Sequence, residues 1–211
     1  MCLDVKTSLL TFIIGTALNT WNITYYKNNT IIAVSILWQW VLSMQLFEAY
    51  AWYNQKSPLQ MQWAAKGAYL ANITQPIVFA IVMFVLKSDE LSLQTKITAG
   101  GVLTGYILWL LYASNKIPEV KQLIPTNDCN NLTYTWWNQF PGNAYIYIIT
   151  LVCLILLMLK PFNFALMQLS YILLALILSM IYYSCGSPGS MWCLLAAFAP
   201  LLVGPMWESS F

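Results

Sequence analysis

The chain contains no histidine and no arginine. The first absence excludes imidazole-based zinc sites and Ser-His-Asp triads, and the second excludes arginine-ladder voltage sensors. Charge of either sign is scarce: 8% of the 211 residues are charged, against about 25% in soluble domains. So few charges cannot cover a globular surface in water, so lipid is the expected solvent. The net charge of +2 is too small and too scattered to suggest a nucleic-acid partner. There is no Gly-rich phosphate loop, no GxSxG and no HExxH, so neither an enzyme nor a metal or other cofactor is expected. The apolar run after Lys6 is longer than a signal-peptide core and lacks a small-residue cleavage site, and position 2 is Cys2 rather than the glycine that myristoylation needs.

What is present is apolar: 60% hydrophobic residues and a mean hydropathy of +0.65. A membrane-spanning helix needs about 20 mostly apolar residues. Seven segments qualify, at 7–25, 31–53, 65–86, 96–114, 143–159, 162–184 and 190–207. The expected fold is therefore an all-α, polytopic integral membrane bundle of about seven transmembrane helices, forming one domain over 1–211. Lys160-Pro161 separates the short fifth segment from the sixth, because proline rarely sits deep in a helix. Six spans with one re-entrant segment is the alternative. Trp21, Tyr25, Tyr26, Trp52, Tyr53, Trp63, Trp136, Trp137, Tyr182 and Tyr183 sit at segment ends, as an interfacial aromatic belt would. The Gly186–Ser190 stretch reads as a turn, with Ser190 placed to cap the last helix.

One long connection, 116–142, holds Pro118, Pro125, Pro141, Cys129 and the sequon Asn131-Leu132-Thr133. With seven spans it shares a face, here face A, with the N-terminus and the 185–189 turn. Lysines divide almost evenly between the two faces and do not settle orientation. Cys2, Cys129 and Cys185 fall on face A, with Cys193 just inside it, which suits a disulfide on an oxidising side. Free cysteines packed as small hydrophobes are the other reading. A Cys129–Cys185 bridge would pin the long loop and stabilise by roughly 4 kcal/mol in chain-entropy terms. Cys2 with Cys185 or Cys193 is the competing pairing. The expectation is an N-terminus outside or luminal, a cytoplasmic C-terminus and glycosylation at Asn131.

Glu48 is the only charge inside a hydrophobic run. A carboxylate at membrane depth is expensive and usually has a partner or lines a polar cavity. Trp38, Val41, Gln45, Glu48 and Trp52 follow three/four spacing and share one helix stripe. At 1.5 Å per residue Glu48 lies roughly 7 Å below the face-A end of its helix and Gln45 roughly 12 Å. On the next helix Asn72 and Gln75 fall at about 10 and 15 Å. Pro76 breaks that helix locally, and Lys66 at its top is placed to reach toward Glu48. Thr11, Gly15, Asn19 and Asn22 form a small-and-polar stripe on the first helix. Tyr69, Tyr112, Tyr145, Tyr182 and Tyr183 lie in the same half. These residues predict a face-A vestibule with Glu48, Gln45, Asn72, Gln75, Tyr69 and Lys66 as the ion- or ligand-binding set. Amides also hold membrane helices together by hydrogen bonds alone, so a structural role stands beside this one.

The run from Trp38-Gln39-Trp40 through Phe47-Glu48 to Trp52, with the Gly189-Ser190-Met191-Trp192-Cys193 turn, resembles an uncharacterised seven-helix membrane family of giant DNA viruses and protists. That resemblance implies a host or viral membrane and supplies no mechanism. Helix number and Thr74-Gln75-Pro76 are also similar to microbial rhodopsins. The retinal lysine of that family has no counterpart in 190–207, and no aspartate precedes Thr74 at the counter-ion position, so retinal is not expected. The function expected is a channel, transporter or small-ligand- or ion-binding protein centred on Glu48, compatible with a homo-oligomer. The alternative is a structural or assembly protein of a viral or other membrane, in which Glu48 and the amides are helix glue. An intramembrane enzyme ranks third, because Glu48 has no evident second acid.

Overall fold

A computed structural model describes the backbone of residues 4–114, 124–126, 129–133, 143–182 and 188–211, and the side chains of 4–113, 145–179, 181 and 195–211. Among the described residues the protein is all-α apart from one small hairpin. Its helices are α1 (Val5–Tyr26), α2 (Asn29–Tyr53), α3 (Pro58–Ile73), α4 (Gln75–Leu86), α5 (Leu93–Ser114), α6 (Asn143–Met158), α7 (Phe162–Tyr182) and α8 (Pro188–Glu208). The hairpin pairs β1 (Ile124–Thr126) with β2 (Cys129–Thr133) antiparallel, Ile124 opposite Thr133.

Local signals start these helices. Asp4 caps α1 by accepting the Thr7 amide at 2.7 Å, and that bond holds its carboxyl below the usual aspartate value. The cap is therefore fully present above the ordinary aspartate pKa and is lost as pH falls through the lowered one. Asn28 caps α2 through the amides of Thr30 and Ile31, and Lys27 turns the chain with a left-handed φ of 46°. Pro58 occupies the first turn of α3, where a missing N–H costs nothing.

Among the described residues three helices are each long and apolar enough to cross a membrane: α2, α5 and α7. The α3–α4 pair makes a fourth if taken as one bent span, while α6 and α8 contain shorter apolar stretches. α1 has the length, but its buried residues are polar or glycine, which lowers its hydropathy. Helix α2 is the hub, packing against α1, α3, α4 and α8. The main core joins Trp38 and Val41 of α2 to Phe79 and Met83 of α4, Leu154 of α6 and Phe164 of α7. Large apolar side chains such as Leu10, Ile13, Val85 and Leu93 face outward, the surface lipid would cover.

Three expectations change. The segment expected at 65–86 begins seven residues earlier, at Pro58, and is two helices bent by 48°. A helix held by a proline start and a packed face can extend beyond its apolar stretch. The long connection contains the β1–β2 hairpin and so is not wholly irregular. Ser190 lies inside the first turn of α8, which begins at Pro188, and so is not its cap.

Candidate functional site

Glu48 is 0% exposed, and Gln45, Asn72 and Gln75 are buried with it. The expected stripe on α2 is real: Trp38, Val41, Gln45 and Glu48 all point inward. The amides reach different helices, however. Thr11 of α1 donates its hydroxyl to Gln45 Oε1 at 3.1 Å. Asn72 Nδ2 and Gln75 Nε2 both approach the sulfur of Met44, at 3.5 and 3.8 Å. Tyr147 of α6 donates its phenol to Gln75 Oε1. A thioether is a weak acceptor, so these two contacts orient the amides more than they bind them. Asn72 Oδ1 is buried with no hydrogen-bond partner among the described residues. Five helices, α1, α2, α3, α4 and α6, are thus joined through three amides and Met44, with Glu48 one turn along α2 from Met44.

The helix break lies beside this set. Thr74 ends α3 and precedes α4 with φ −88° and ψ −2°. Pro76 has no N–H to continue the ladder. Polar groups from neighbouring helices settle at the break. Tyr106 of α5 donates to the Ile73 carbonyl at 2.7 Å, and the Thr74 hydroxyl donates to Leu70 O at 2.6 Å. Trp40 Nε1 of α2 donates to that same hydroxyl at 2.9 Å. Membrane helices tolerate a break where neighbours satisfy the freed groups in this way. Tyr106→Phe should therefore lower stability by about 1–3 kcal/mol, the cost of stranding a buried carbonyl. Unfolding of the purified protein in mixed detergent micelles checks this, and a change of a few tenths of a kcal/mol or less would show that Tyr106 does not hold the break.

Other expected members lie elsewhere. Lys66 is exposed, its ammonium 5.5 Å from the Trp63 ring centroid in a cation–π contact. Midway along α3 it turns outward to the indole and not toward Glu48. Tyr69 is half-buried, packed in the smaller α2–α3 cluster with Met44 and Ala68. Tyr112 and Tyr145 face outward, Tyr145 being 74% exposed, and so serve the belt and not a vestibule. Tyr182 and Tyr183 have no described side chains. The tyrosine that enters is Tyr147, on the α6 stripe with Leu151, Leu154 and Met158; that three/four periodicity was its available signal. Met44 carried none. Cys129 and Asn131 lie on β2, their side chains outside the described residues, as are Cys185 and hence the expected bridge. Cys153 is a free, partly buried thiol.

Fold and contacts together define a helical protein with an apolar exterior and a buried carboxyl–carboxamide cluster beside a broken helix. No protein-family model matches the chain, and no curated protein or solved structure is significantly similar to it.

Proposed function

We propose that this is a polytopic membrane protein of about seven spans that binds or moves a small cation at a site centred on Glu48. One observation carries the reading: a fully buried carboxyl stands one helical turn along α2 from Met44, whose sulfur receives the amides of Asn72 and Gln75 on either side of a helix break. A carboxylate in an apolar interior costs several kcal/mol unless it is protonated or paired. Selection against such a cost is strong unless the group is used. Broken helices at membrane depth are a recurrent setting for ion and substrate sites, because helix ends present unpaired backbone dipoles there. Gln45, Asn72 and Gln75 position the helices around the acid. The resemblance of the Trp38–Trp52 run to a viral and protist family, the N-out orientation and the face-A vestibule belong to this proposal.

The second reading is a structural membrane component. It draws on the contacts of the amides, since Gln45 is tied to α1 and Gln75 to α6. Liposome reconstitution separates the two. Flux of protons, sodium and potassium is measured for the unmodified protein and for Glu48→Gln. The cation reading expects a loss of about tenfold or more, corresponding to ~1.4 kcal/mol of barrier. Equal flux and equal pH dependence in both proteins would leave the structural reading.

A further inference from the structure

Helix α1 reverses the usual polarity of an outer helix. Its buried residues are Ser8, Thr11, Gly15, Asn19 and Asn22, while Leu10 and Ile13 face outward. Helix α2 answers with Gln45, Gln39 and Ser35. Besides the Thr11–Gln45 bond, Gln39 Nε2 donates to Thr16 Oγ1 at 3.0 Å. The Asn19 carboxamide lies 3.2 Å from that of Gln39, and with its oxygen and nitrogen exchanged its nitrogen donates to the Ser35 carbonyl, also at 3.2 Å. Asn22 donates to the Pro200 carbonyl of α8 at 2.7 Å. The hydroxyl of Ser35, a residue 0% exposed, has no hydrogen-bond partner among the described residues. This antiparallel register brings Ser8 level with Glu48. From Ser8 to Asn22 the polar seam runs about 21 Å along α1, most of a hydrocarbon core of about 30 Å.

One apolar group interrupts it. Leu42 is fully buried and packs directly on Gly15, where an added Cβ would collide with it and lie 3.2 Å from the Ala197 carbonyl. On one side of this contact lie Ser8, Thr11, Gln45 and Glu48. On the other lie Thr16, Gln39, Asn19 and Ser35.

We propose that the α1–α2 seam is a proton path made of two polar half-paths, closed at the Leu42–Gly15 contact. The path and its substrate deepen the proposed cation function, which supplies the role of Glu48. Protons fit the seam better than metal cations. A metal ion needs several oxygens to replace its water shell, whereas a proton needs only a continuous chain of hydrogen bonds. The unpartnered hydroxyl of Ser35 is a polar anchor point for water in such a chain. The step balances simply: the Glu48 carboxylate takes a proton from hydronium in its half-path, leaving water, becomes neutral, and when the contact opens returns that proton to water beyond Leu42, forming hydronium there. One O–H bond forms and one breaks at each transfer, and one positive charge moves. Among the described side chains, the other titratable groups on the helices around this level are Asp4 and Lys6 at the head of α1, Tyr50 and Tyr53 on α2, Lys66 and Tyr69 on α3, and Tyr147 on α6.

Cysteine accessibility in the full chain tests the path independently of flux. Thr11→Cys and Ser35→Cys sample the two halves, with Ser8→Cys and Thr16→Cys as second choices should either variant fail to purify as a monodisperse species. Leu42→Cys samples the closure. Proteoliposomes are treated from one side and then the other with a membrane-impermeant methanethiosulfonate, and the modified peptide is identified by mass, which separates it from native cysteines. The expected result is Thr11→Cys labelled from one side only, Ser35→Cys from the opposite side only, and Leu42→Cys from neither. An entrapped pH dye should also report about tenfold faster proton entry for Leu42→Ala. Protection of both halves from both sides overturns the path, even if Glu48-dependent flux persists. Labelled halves with Leu42-dependent but Glu48-independent proton entry keep the path and remove the proposed role of Glu48. Labelled halves with no proton entry in Leu42→Ala overturn the path.

Discussion

Trp38→Ala is expected to cost about 3–5 kcal/mol, the range for emptying a buried aromatic site. Trp38 is 2% exposed at the middle of α2. Its indole N–H donates to Gln168 Oε1 at 3.2 Å, and its ring meets Tyr171 edge-on at 6.0 Å. Gln168 passes the connection on, its Nε2 lying 3.2 Å from the Met206 sulfur. One side chain thus couples α2 to α7 directly and to α8 through Gln168. Alanine would leave a large void and remove the indole donor from Gln168. Trp38→Phe, which keeps much of the ring and loses the N–H, should cost distinctly less than the alanine change. Unfolding in mixed micelles reads both, and near-equal losses would show that volume is not the main contribution at this position.

The second large effect is a contrast between glycines. Gly15→Val should destabilise by about 2–3 kcal/mol, because the new methyl groups meet the buried Leu42 and a backbone oxygen that cannot swing away. On α5 the space beyond Gly101 and Gly105 is open, with nothing within 4 Å of an added Cβ. There Gly→Ala should stabilise by roughly 0.5–1 kcal/mol through helix propensity. The same unfolding assay compares them. A Gly15→Val protein as stable as the parent would mean that α1 and α2 are not packed as closely as described.

How far the sequence could be read follows from which signals are local. The ends of α1, α2, α5 and α6 lie within a few residues of their apolar runs, because caps, prolines and hydropathy act within a turn or two. The early start of α3 was not legible: its first turns are amphipathic, with Gln60 and Gln62, and resemble a connection. Pro76 located the break to within two residues. The groups that complete it, Trp40 and Tyr106, come from α2 and α5, and no nearby spacing announces them. At the site, three/four spacing correctly buried Gln45 with Glu48 and Asn72 with Gln75. It could not say that Met44 would receive both amides of the second pair, nor that Lys66 would choose an indole over an acid. Those choices depend on rotation about helix axes, which single-residue steps of about 100° make easy to misjudge.

The polar inner stripe of α1 also bears on how the chain is made. A helix that offers Thr11, Asn19 and Asn22 to hydrocarbon strands several amide and hydroxyl groups, each costly away from water. Only Lys27 and Asn28 separate α1 from α2, and α2 carries the matching Gln39 and Gln45. In a bilayer the two helices would therefore be expected to insert together as one hairpin, each satisfying the polar groups of the other.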